Sequence, residues 1–250
     1  MSSDPKHIAF IMDGNGRWAE ARHKNRFWGH IRGSEVAQKI VEHCATKTSI
    51  DFLTLYAFST ENWSRPFEEI SFLFKLLERH LKKKSAYLIS NNVRLRVIGN
   101  LKQLPESLQS SIQELVSRTA QNTGLTLSLA LNYSGRQDLL EKINRHFETS
   151  STPLNEKMLS QLLSQNGSPE PDLIVRTSGE QRLSNFMLWQ AAYSEFYFTD
   201  VLWPDFTTAD FDKALVSFKS RQRRFGSVPS PTLNSNTDSQ NNPVDLHKVF

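Results

Sequence analysis

The densest cluster of residues that could do chemistry is the run Asp13-Gly14-Asn15-Gly16-Arg17-Trp18. It follows an apolar run at residues 8–12, which predicts a buried strand. Glycines let backbone N–H groups approach phosphate oxygens, and a following helix would direct its positive end toward them. Asp13 could hold a hard metal ion that bridges to the same phosphate. The cluster therefore predicts an anion site, although a glycine turn that only joins a strand to a helix is an equally open interpretation.

Asp-Gly and Asn-Gly are also typical turn sequences of β-hairpins. A hairpin needs a second strand directly after the turn, whereas residues 18–22 have the character of a helix. We therefore expect a strand, a glycine turn and a helix in that order.

Three further polar segments could complete such a site: residues 59–66, 176–186 and 221–226. The first follows an apolar run, the second holds two arginines, three hydroxyls and a glycine, and the third is a basic helix end. Arginines and hydroxyls in this density suit a diphosphate. Each segment also has a structural alternative. Residues 59–66 could be a capping loop in which Ser64 caps the next helix. Residues 176–186 could be a polar loop with surface salt bridges, and residues 221–226 a solvated helix terminus.

Three isolated residues are further candidates. Arg26 and His30 stand before a helix expected at residues 30–48 and could reach the first phosphate site. Glu195 lies between apolar residues, where a carboxylate needs a partner, and a metal ion shared with Asp13 is one candidate.

Apolar runs alternate with helical patterns along the chain, which predicts an α/β fold with a central, mostly parallel sheet flanked by helices. Ligands in such folds bind at the carboxyl ends of the strands, where Asp13, Ser59 and Arg176 all fall. The expected strands are at residues 7–12, 51–58, 93–98, 125–132 and 172–176, with a sixth candidate at 196–198. The expected helices are at residues 30–48, 66–90, 105–122, 134–149, 155–164 and 207–222.

The helix expected at residues 66–90 has an apolar face that is wider than one stripe. An ordinary buried helix explains this width. The alternative is that one side of the helix lines a cavity for an apolar ligand, so that an apolar tunnel runs between the sheet and the helices.

Composition narrows the class of protein. The chain has 250 residues, of which 38% are apolar and 16 are Phe, so it can bury a sizeable core. We expect one domain over residues 1–226 and a disordered polar tail at 227–250. The single cysteine excludes an internal disulfide framework. No signal peptide or membrane span is expected, which predicts a cytoplasmic protein.

The net charge of +4 suits anionic ligands or an anionic membrane surface. No basic stripe with interleaved aromatic residues is present, so we expect no nucleic-acid partner. The sequence has no Gly-x-x-x-x-Gly-Lys-Ser/Thr motif and no Asp-Asp pair. These absences argue against P-loop nucleotide chemistry and against the aspartate-rich magnesium clamps of all-helical prenyl synthases.

Taken together, the motifs resemble those of the cis-prenyltransferases, the undecaprenyl diphosphate synthase family. The resemblance runs in order over about residues 7–226. It rests on the segments 7–18, 29–30, 55–66, 92–99, 124–127, 132–136, 176–186, 195–206 and 224–226.

The resemblance implies a homodimeric, Mg²⁺-dependent enzyme that adds isopentenyl diphosphate to an allylic diphosphate, with farnesyl diphosphate as the expected starter. It implies a medium-length product such as undecaprenyl diphosphate, a lipid carrier for cell-wall precursors, and a peripheral contact with the inner face of the membrane for product release. A shorter-chain synthase and a noncatalytic accessory subunit of the same fold are the alternatives. A nucleotide-binding module would leave the apolar tunnel unexplained.

Site residues follow from the resemblance position by position. Asp13 corresponds to the magnesium ligand and catalytic carboxylate, and Glu195 to the second metal-linked carboxylate. The allylic diphosphate site is implied at Gly14, Asn15, Gly16, Arg17, Trp18, Arg26 and His30. The catalytic loop is implied at Ser59, Thr60, Glu61, Asn62, Trp63 and Arg65. The isopentenyl diphosphate grip is implied at Arg176, Arg182, Leu183 and Ser184, and residues 224–226 would reach the partner's site.

Two further points concern mechanism and product. The family assigns proton acceptance to Asn62, but an amide is a poor base, so we interpret Asn62 as an orienting group and a diphosphate oxygen as the base. The small Ala57 and the expected tunnel-floor residue Leu125 favour a medium-length product, as does the lack of an insertion between Trp63 and Asn92. Gln181 stands where many members of the family have histidine.

Overall fold

A single parallel sheet of six strands forms the centre of the computed structural model, which describes residues 4–164 and 167–221. The strand order is β3-β4-β2-β1-β5-β6, and every neighbouring pair is parallel. The predicted α/β class is therefore confirmed, with the sixth strand present. The strands are β1 His7–Ile11, β2 Phe52–Ser59, β3 Arg94–Ile98, β4 Thr126–Tyr133, β5 Leu173–Arg176 and β6 Glu195–Phe198.

Seven α-helices are found among the described residues, together with short 3₁₀ helices at Thr60–Ser64, Leu101–Gln103 and Trp203–Asp205. The predicted helices are present, with ends that differ by a few residues. The helices are α1 Asn15–Glu20, α2 Arg26–Lys47, α3 Phe67–Ser90, α4 Glu106–Arg118, α5 Gly135–Thr149, α6 Glu156–Leu163 and α7 Thr208–Lys219.

The start of α2 differs from the prediction. The helix begins at Arg26 rather than at residue 30, because the side chain of Asn25 accepts the backbone N–H of Phe27 at 3.0 Å and caps it. Arg26 and His30 therefore lie within the helix instead of before it. Their side chains project one turn apart from the same rigid element.

Both faces of the sheet are covered, as expected for parallel strands. On one face, Ile8, Phe10, Leu53 and Leu95 belong to a large core packed beneath the helices. Phe10 is at the centre of an aromatic group, with the rings of Trp203, Phe206 and Phe211 at 5.6–5.8 Å. A smaller apolar cluster covers the other face and contains Ala9, Ile11, Ala130, Ile174 and Phe186.

One irregularity lies next to the carboxyl edge of the sheet. The pairing of β2 with β4 shifts register between Tyr56 and Phe58, so Ala57 has no partner in the ladder. Such bulges redirect side chains and occur near functional sites. A second shift follows between Phe58 and Ser59, directly before the loop that starts at Thr60.

His7 is a buried histidine whose ring joins three segments. Its Nδ1 lies 2.7 Å from the carbonyl of Pro169 and its Nε2 lies 2.8 Å from the hydroxyl of Thr54. Nδ1–H therefore donates to the carbonyl, and Nε2 accepts from the hydroxyl. Burial lowers the pKa of His7 from 6.5 to about 4.

We expect His7 to make folding sensitive to acid. Because its folded pKa is depressed, the unfolded chain takes up the proton first, so stability is complete above about pH 6.5 and is lost as the pH falls toward 4. The free energy of unfolding should fall by about 2 kcal/mol between pH 7 and pH 5 through this residue. Urea unfolding at both pH values measures it, with His7→Gln as the comparison. Equal pH slopes in the two proteins would contradict the assignment.

Candidate active site

A polar pocket of about 590 Å³ lies at the carboxyl edge of the sheet. It is built from the ends of β1, β2 and β5 and from the loops that follow them. The polar and charged residues that line it are Asp13, Tyr56, Ser59, Glu61, Asn62, Arg65, Arg136, Arg176, Ser184 and Asn185. The structure thus brings residues from three predicted segments, 13–18, 59–66 and 176–186, to one place. This follows from the carboxyl ends of parallel strands lying at one edge of the sheet.

The ion pair between Asp13 and Arg176 forms the centre of this pocket. Ile11 and Arg176 are paired in the β1–β5 ladder, so the residue two positions after Ile11 reaches the arginine. Nη2 of Arg176 donates to Oδ2 of Asp13 at 2.9 Å. Nη1 donates to the Ser184 hydroxyl at 2.7 Å and also to the carbonyl of Arg182. Arg176 is only 3% exposed, so the sheet holds this guanidinium in a fixed position.

The electrostatics of Asp13 favour its charged form. Burial acts to raise the pKa of Asp13, but the hydrogen bond and charge of Arg176, the Gly14 N–H and the charge of Arg17 outweigh it. The pKa of Asp13 is therefore held below its usual value. The carboxylate is available as an anion at neutral pH.

The glycine turn after Asp13 approaches its neighbours closely. Gly14 has φ of 104°, and a Cβ atom there would lie 2.9 Å from a side-chain carbon of Leu202. At Gly16 a Cβ would lie 2.7 Å from the guanidinium of Arg26, so that cation stands directly over the turn. The expected strand, turn and helix are present, and the hairpin alternative is excluded.

Asn15 packs against Gly33 of α2, and the indole of Trp18 donates to Asp205 at 2.7 Å.

Two arginines flank the opening of this turn. Arg17 donates to the Ser178 hydroxyl at 2.5 Å and lies 3.4 Å from a carboxylate oxygen of Glu180. Arg182 also pairs with Glu180, and its side chain is exposed. Leu183 packs against the smaller core cluster, which fixes the loop that carries Ser184. The segment from 176 to 184 is therefore a salt-bridged loop that places one cation, Arg176, in the pocket and a second, Arg182, outside its lining.

Glu69 contributes to the site, although no sequence pattern predicted a role for it there. It is buried, and it accepts from Nε2 of His30 and from Nη1 of Arg65, both at 3.1 Å. Nε of Arg26 lies 3.4 Å from its other oxygen. Burial acts to raise the pKa of Glu69, but these partners outweigh it and lower the pKa. Glu69 therefore holds three of the predicted site residues together, although two of them belong to another helix.

The loop at Thr60–Ser64 is fixed by hydrogen bonds. Oδ1 of Asn62 accepts the backbone N–H of Ser59 at 3.2 Å, and the indole of Trp63 donates to Oδ1 of Asn132 at 2.8 Å. Oε1 of Glu61 accepts from the side-chain amide of Asn185 at 2.9 Å, which links this loop to the segment after β5. Asn132 and Asn185 both have positive φ and carried no individual signal in the sequence.

The alternative in which Ser64 caps α3 is not what the structure shows. The Ser64 hydroxyl donates to the carbonyl of Glu61 at 2.8 Å, and Pro66 occupies the cap position without a side-chain hydrogen bond. The hydroxyl of Thr60 lies 3.4 Å from the carboxylate of Glu61. Glu61, Asn62, Trp63 and Ser64 thus each hold this loop through a hydrogen bond.

Glu195 does not join Asp13 within one chain. Glu195 pairs with Leu173 at the amino end of the β5–β6 ladder, whereas Phe198 pairs with Arg176 at the carboxyl end, next to Asp13. The Glu195 carboxylate accepts instead from Arg221 at 2.8 Å. Among the described residues no group of three or more His, Cys, Asp or Glu could hold a metal ion. The expected metal site bridged by Asp13 and Glu195 is therefore not formed within a single chain.

An apolar cavity of about 220 Å³ adjoins the polar pocket. It lies between the sheet and helices α2 and α3, and Met12 and Tyr56 line both spaces. Its apolar lining includes Leu55, Ala57, Phe58, Leu73, Phe74, Leu77, Leu81, Leu88, Leu95, Leu127 and Leu129. The expected tunnel between sheet and helices is present, and α3 forms one of its walls.

The floor of the cavity differs from the expectation. Leu125 is buried in the core, where it stands before the start of β4, and it does not line the cavity. Leu95 and Leu127 provide the lining in that region.

No helix within residues 4–164 and 167–221 is long and apolar enough to cross a bilayer. The terminal motif at 224–226 and the predicted tail at 227–250 lie outside the described residues.

Comparisons with known proteins agree with this geometry. A family model described as "Putative undecaprenyl diphosphate synthase" matches residues 11–226. An isoprenyl transferase of Neisseria meningitidis is 48% identical over 222 residues, which cover 89% of each protein. A protein of Coxiella burnetii named as a farnesyl-diphosphate-specific ditrans,polycis-undecaprenyl-diphosphate synthase is 49% identical over 231 residues, covering 90% of this chain and 97% of that protein.

Two solved structures share the fold. Lavandulyl diphosphate synthase from Lavandula x intermedia, in complex with dimethylallyl diphosphate, superposes with a TM-score of 0.85 at 35% identity. The match covers 90% of this chain and 99% of that one. A probable undecaprenyl diphosphate synthase from Campylobacter jejuni has a TM-score of 0.77 at 36% identity, covering 91% and 100%.

Proposed function

Because the chain belongs to the undecaprenyl diphosphate synthase family and is a cis-prenyltransferase, we propose that it adds isopentenyl diphosphate units to farnesyl diphosphate in cis geometry. The proposed product is a polyprenyl diphosphate of medium length, such as undecaprenyl diphosphate. As a carrier lipid for cell-wall precursors, it would be made in the cytoplasm and released at the inner face of the membrane. The named specificity of the Coxiella burnetii relative supports farnesyl diphosphate as the starter.

The observation that carries this proposal is the contact between a polar pocket and an apolar cavity. Met12 and Tyr56 line both spaces and so mark the boundary between them. A molecule could place its charged end in the polar pocket, beside Asp13 and Arg176, and its apolar tail in the cavity. A prenyl diphosphate has this shape. A site for a free phosphate or a nucleotide would not need an apolar cavity lined by so many leucines.

We assign the two diphosphates to two groups of cations. The allylic diphosphate would bind at the glycine turn, where the guanidinium of Arg26 stands over Gly16. The isopentenyl diphosphate would bind at Arg176, Arg182 and Ser184. When the allylic C–O bond breaks, the leaving diphosphate gains negative charge, and cations and N–H groups that are already fixed in place stabilise that charge.

The residues present fit a Mg²⁺ ion held partly by substrate. Mg²⁺ is usually bound by one or two carboxylates together with phosphate oxygens, rather than by a cage of protein ligands. Asp13 offers one ionised carboxylate at the pocket, which accepts hydrogen bonds from Gly14 and Arg176 and has lone pairs left for a metal ion. When bound there, the ion would neutralise charge on the leaving diphosphate. Glu195 of the same chain is not part of this proposal.

The proton balance requires a base near the new bond. The isopentenyl double bond attacks the allylic carbon as the C–O bond breaks, and a proton then leaves the carbon next to the resulting cationic centre. Oδ1 of Asn62 already accepts the Ser59 N–H, which suits an orienting role for this side chain. We therefore assign the proton to an oxygen of the diphosphate.

We also propose that the active form is a homodimer. Leu140 and Phe147 of α5 are more than half exposed, and so is Tyr193, which lies just before β6. β6 is an edge strand of the sheet, and exposed edges are normally covered. A second copy of the chain would cover these apolar side chains. The same arrangement would bring Glu195 toward a partner's site.

Incubation of the purified full chain with Mg²⁺, farnesyl diphosphate and labelled isopentenyl diphosphate tests the proposal, with products sized by chromatography. We expect a series of products that ends near undecaprenyl length. Complete lack of elongation would contradict the assignment as an active synthase. Products that stop after one or two additions would contradict the medium length and indicate a shorter-chain synthase.

A further inference from the structure

A hydrogen-bonded pair crosses the helical wall of the apolar cavity. Nε2 of His80 in α3 lies 2.9 Å from the hydroxyl of Ser34 in α2. The same hydroxyl donates to the carbonyl of Ile31 at 2.6 Å, so it accepts from His80 and Nε2 carries the proton. We call this pair the Ser34–His80 latch. Both of its residues line the cavity.

The surroundings of the latch keep the ring neutral. Burial and the positive charges of Lys83 and Lys84 lower the pKa of His80. Leu77, one turn before His80, and Leu81, the residue after it, present apolar side chains to the same cavity. A neutral imidazole can therefore remain in this wall, beside Gln38, Glu42 and Lys84, because the Ser34 hydroxyl satisfies its N–H.

The cavity is small for the chain that it is proposed to hold. At about 220 Å³ it lies below the roughly 300–1,000 Å³ typical of pockets for drug-sized ligands, and a growing prenyl chain exceeds that size. The sheet wall is fixed by the backbone ladders of β2, β3 and β4. Extra space must therefore come from the helical wall, through separation of α2 from α3.

Polar and aromatic contacts join these two helices at one end of the cavity. Near the polar pocket they are joined by His30 and Arg26 with Glu69 and by the stacked rings of Phe27 and Phe72, whose centroids are 4.4 Å apart. Beyond these contacts, the Ser34–His80 latch joins α2 to α3 within the cavity wall itself. Widening the cavity beyond the first contacts must break this hydrogen bond.

We propose that the Ser34–His80 latch limits product length by resisting the separation of α2 and α3 as the prenyl chain grows. Ser34 and His80 are positioning residues, since they set the width of the cavity and take no part in the reaction. The proposal rests on the proposed chain elongation. Without the latch, a chain at the stopping length gains space for further additions before release.

The variants Ser34→Ala and His80→Phe test the latch, because each breaks the hydrogen bond without enlarging the cavity by a whole side chain. We expect both to shift products toward longer chains. The ratio of further addition to release at the wild-type stopping length should rise about fivefold, which corresponds to about 1 kcal/mol, the net value of one hydrogen bond. Because both variants break the same bond, the double variant should shift the ratio no further than either single variant.

His43→Phe is the matched control, because His43 is also on α2 but bonds to Asp212 at 2.9 Å and does not line the cavity. We expect its products to match those of the wild type, and thermal unfolding should show that all variants are folded. Normal elongation with an unchanged product distribution in both latch variants would overturn the latch alone. Additive shifts in the double variant would also overturn it. Lack of elongation by the wild-type chain would overturn the proposed function and the latch with it.

Discussion

Asp13→Asn should lower kcat/KM for isopentenyl addition by roughly a hundred- to a thousandfold, the scale expected for losing one preorganised charge-stabilising group. Asparagine has the same shape but no charge, so it loses the ion pair with Arg176 at 2.9 Å and the attraction of Arg17. It also removes the ionised carboxylate that the proposed Mg²⁺ would need. Steady-state kinetics at saturating Mg²⁺ measure the effect.

Asp51→Asn is the matched control for this change. Asp51 pairs with Lys6 on the surface and lies just before β2, at the amino edge of the sheet and away from the polar pocket. We expect its kinetics to match those of the wild type. A folded Asp13→Asn protein with unchanged kcat/KM would exclude the role that we assign to Asp13.

Arg176→Lys should have the second large effect, a fall in kcat/KM of about a hundredfold. Lysine keeps the charge but not the planar fork, and it cannot donate at once to Asp13, Ser184 and the carbonyl of Arg182. Because Arg176 is buried, unpaired groups left behind should also lower the free energy of unfolding by about 1–3 kcal/mol. Kinetics with varied isopentenyl diphosphate and urea unfolding measure the two effects.

Arg118→Lys is the comparison for Arg176→Lys. Arg118 ends α4 and pairs with Glu114 on the surface at 3.1 Å, so the same exchange should change neither activity nor stability measurably. If Arg176→Lys proved as active as the wild type, the fork of Arg176 would not be the isopentenyl diphosphate grip. Loss of stability with full activity would show a purely structural role.

The parts of the site that follow strand ends were predictable from the sequence. A parallel sheet brings carboxyl ends to one edge, so Asp13, Ser59 and Arg176 could be placed together once the apolar runs were recognised as strands. The wide apolar face of α3 likewise predicted either burial or a cavity wall. The structure shows that it is a cavity wall, because Leu73, Leu77 and Leu81 line the space next to Tyr56.

Other parts depend on contacts that no local pattern records. Glu69 looked like an acid in the first turn of a helix, where it complements the dipole. Its partner His30 is 39 positions away, and only the packing of α2 on α3 reveals the pair. The bulge at Ala57 likewise comes from the pairing of β2 with β4 and not from the residue itself.

The position of Glu195 shows the limit of reasoning from neighbours alone. Apolar flanking residues correctly indicated that its carboxylate needs a partner, and that partner is Arg221. Glu195 lies at the amino end of β6, because the register places it opposite Leu173. Only the strand pairing reveals this position. Leu125 was misplaced for a similar reason, since it precedes β4 and the residues after it line the cavity.

The most direct test of the account is a crystal structure of the full chain with a non-hydrolysable farnesyl thiodiphosphate. We predict that the diphosphate lies within hydrogen-bond distance of the glycine turn at residues 14–17 and of Arg26. The farnesyl tail should pass Tyr56 and Ala57 and lie between β2 and helices α2 and α3. A diphosphate bound away from Asp13, or a tail that lies outside this cavity, would contradict the account.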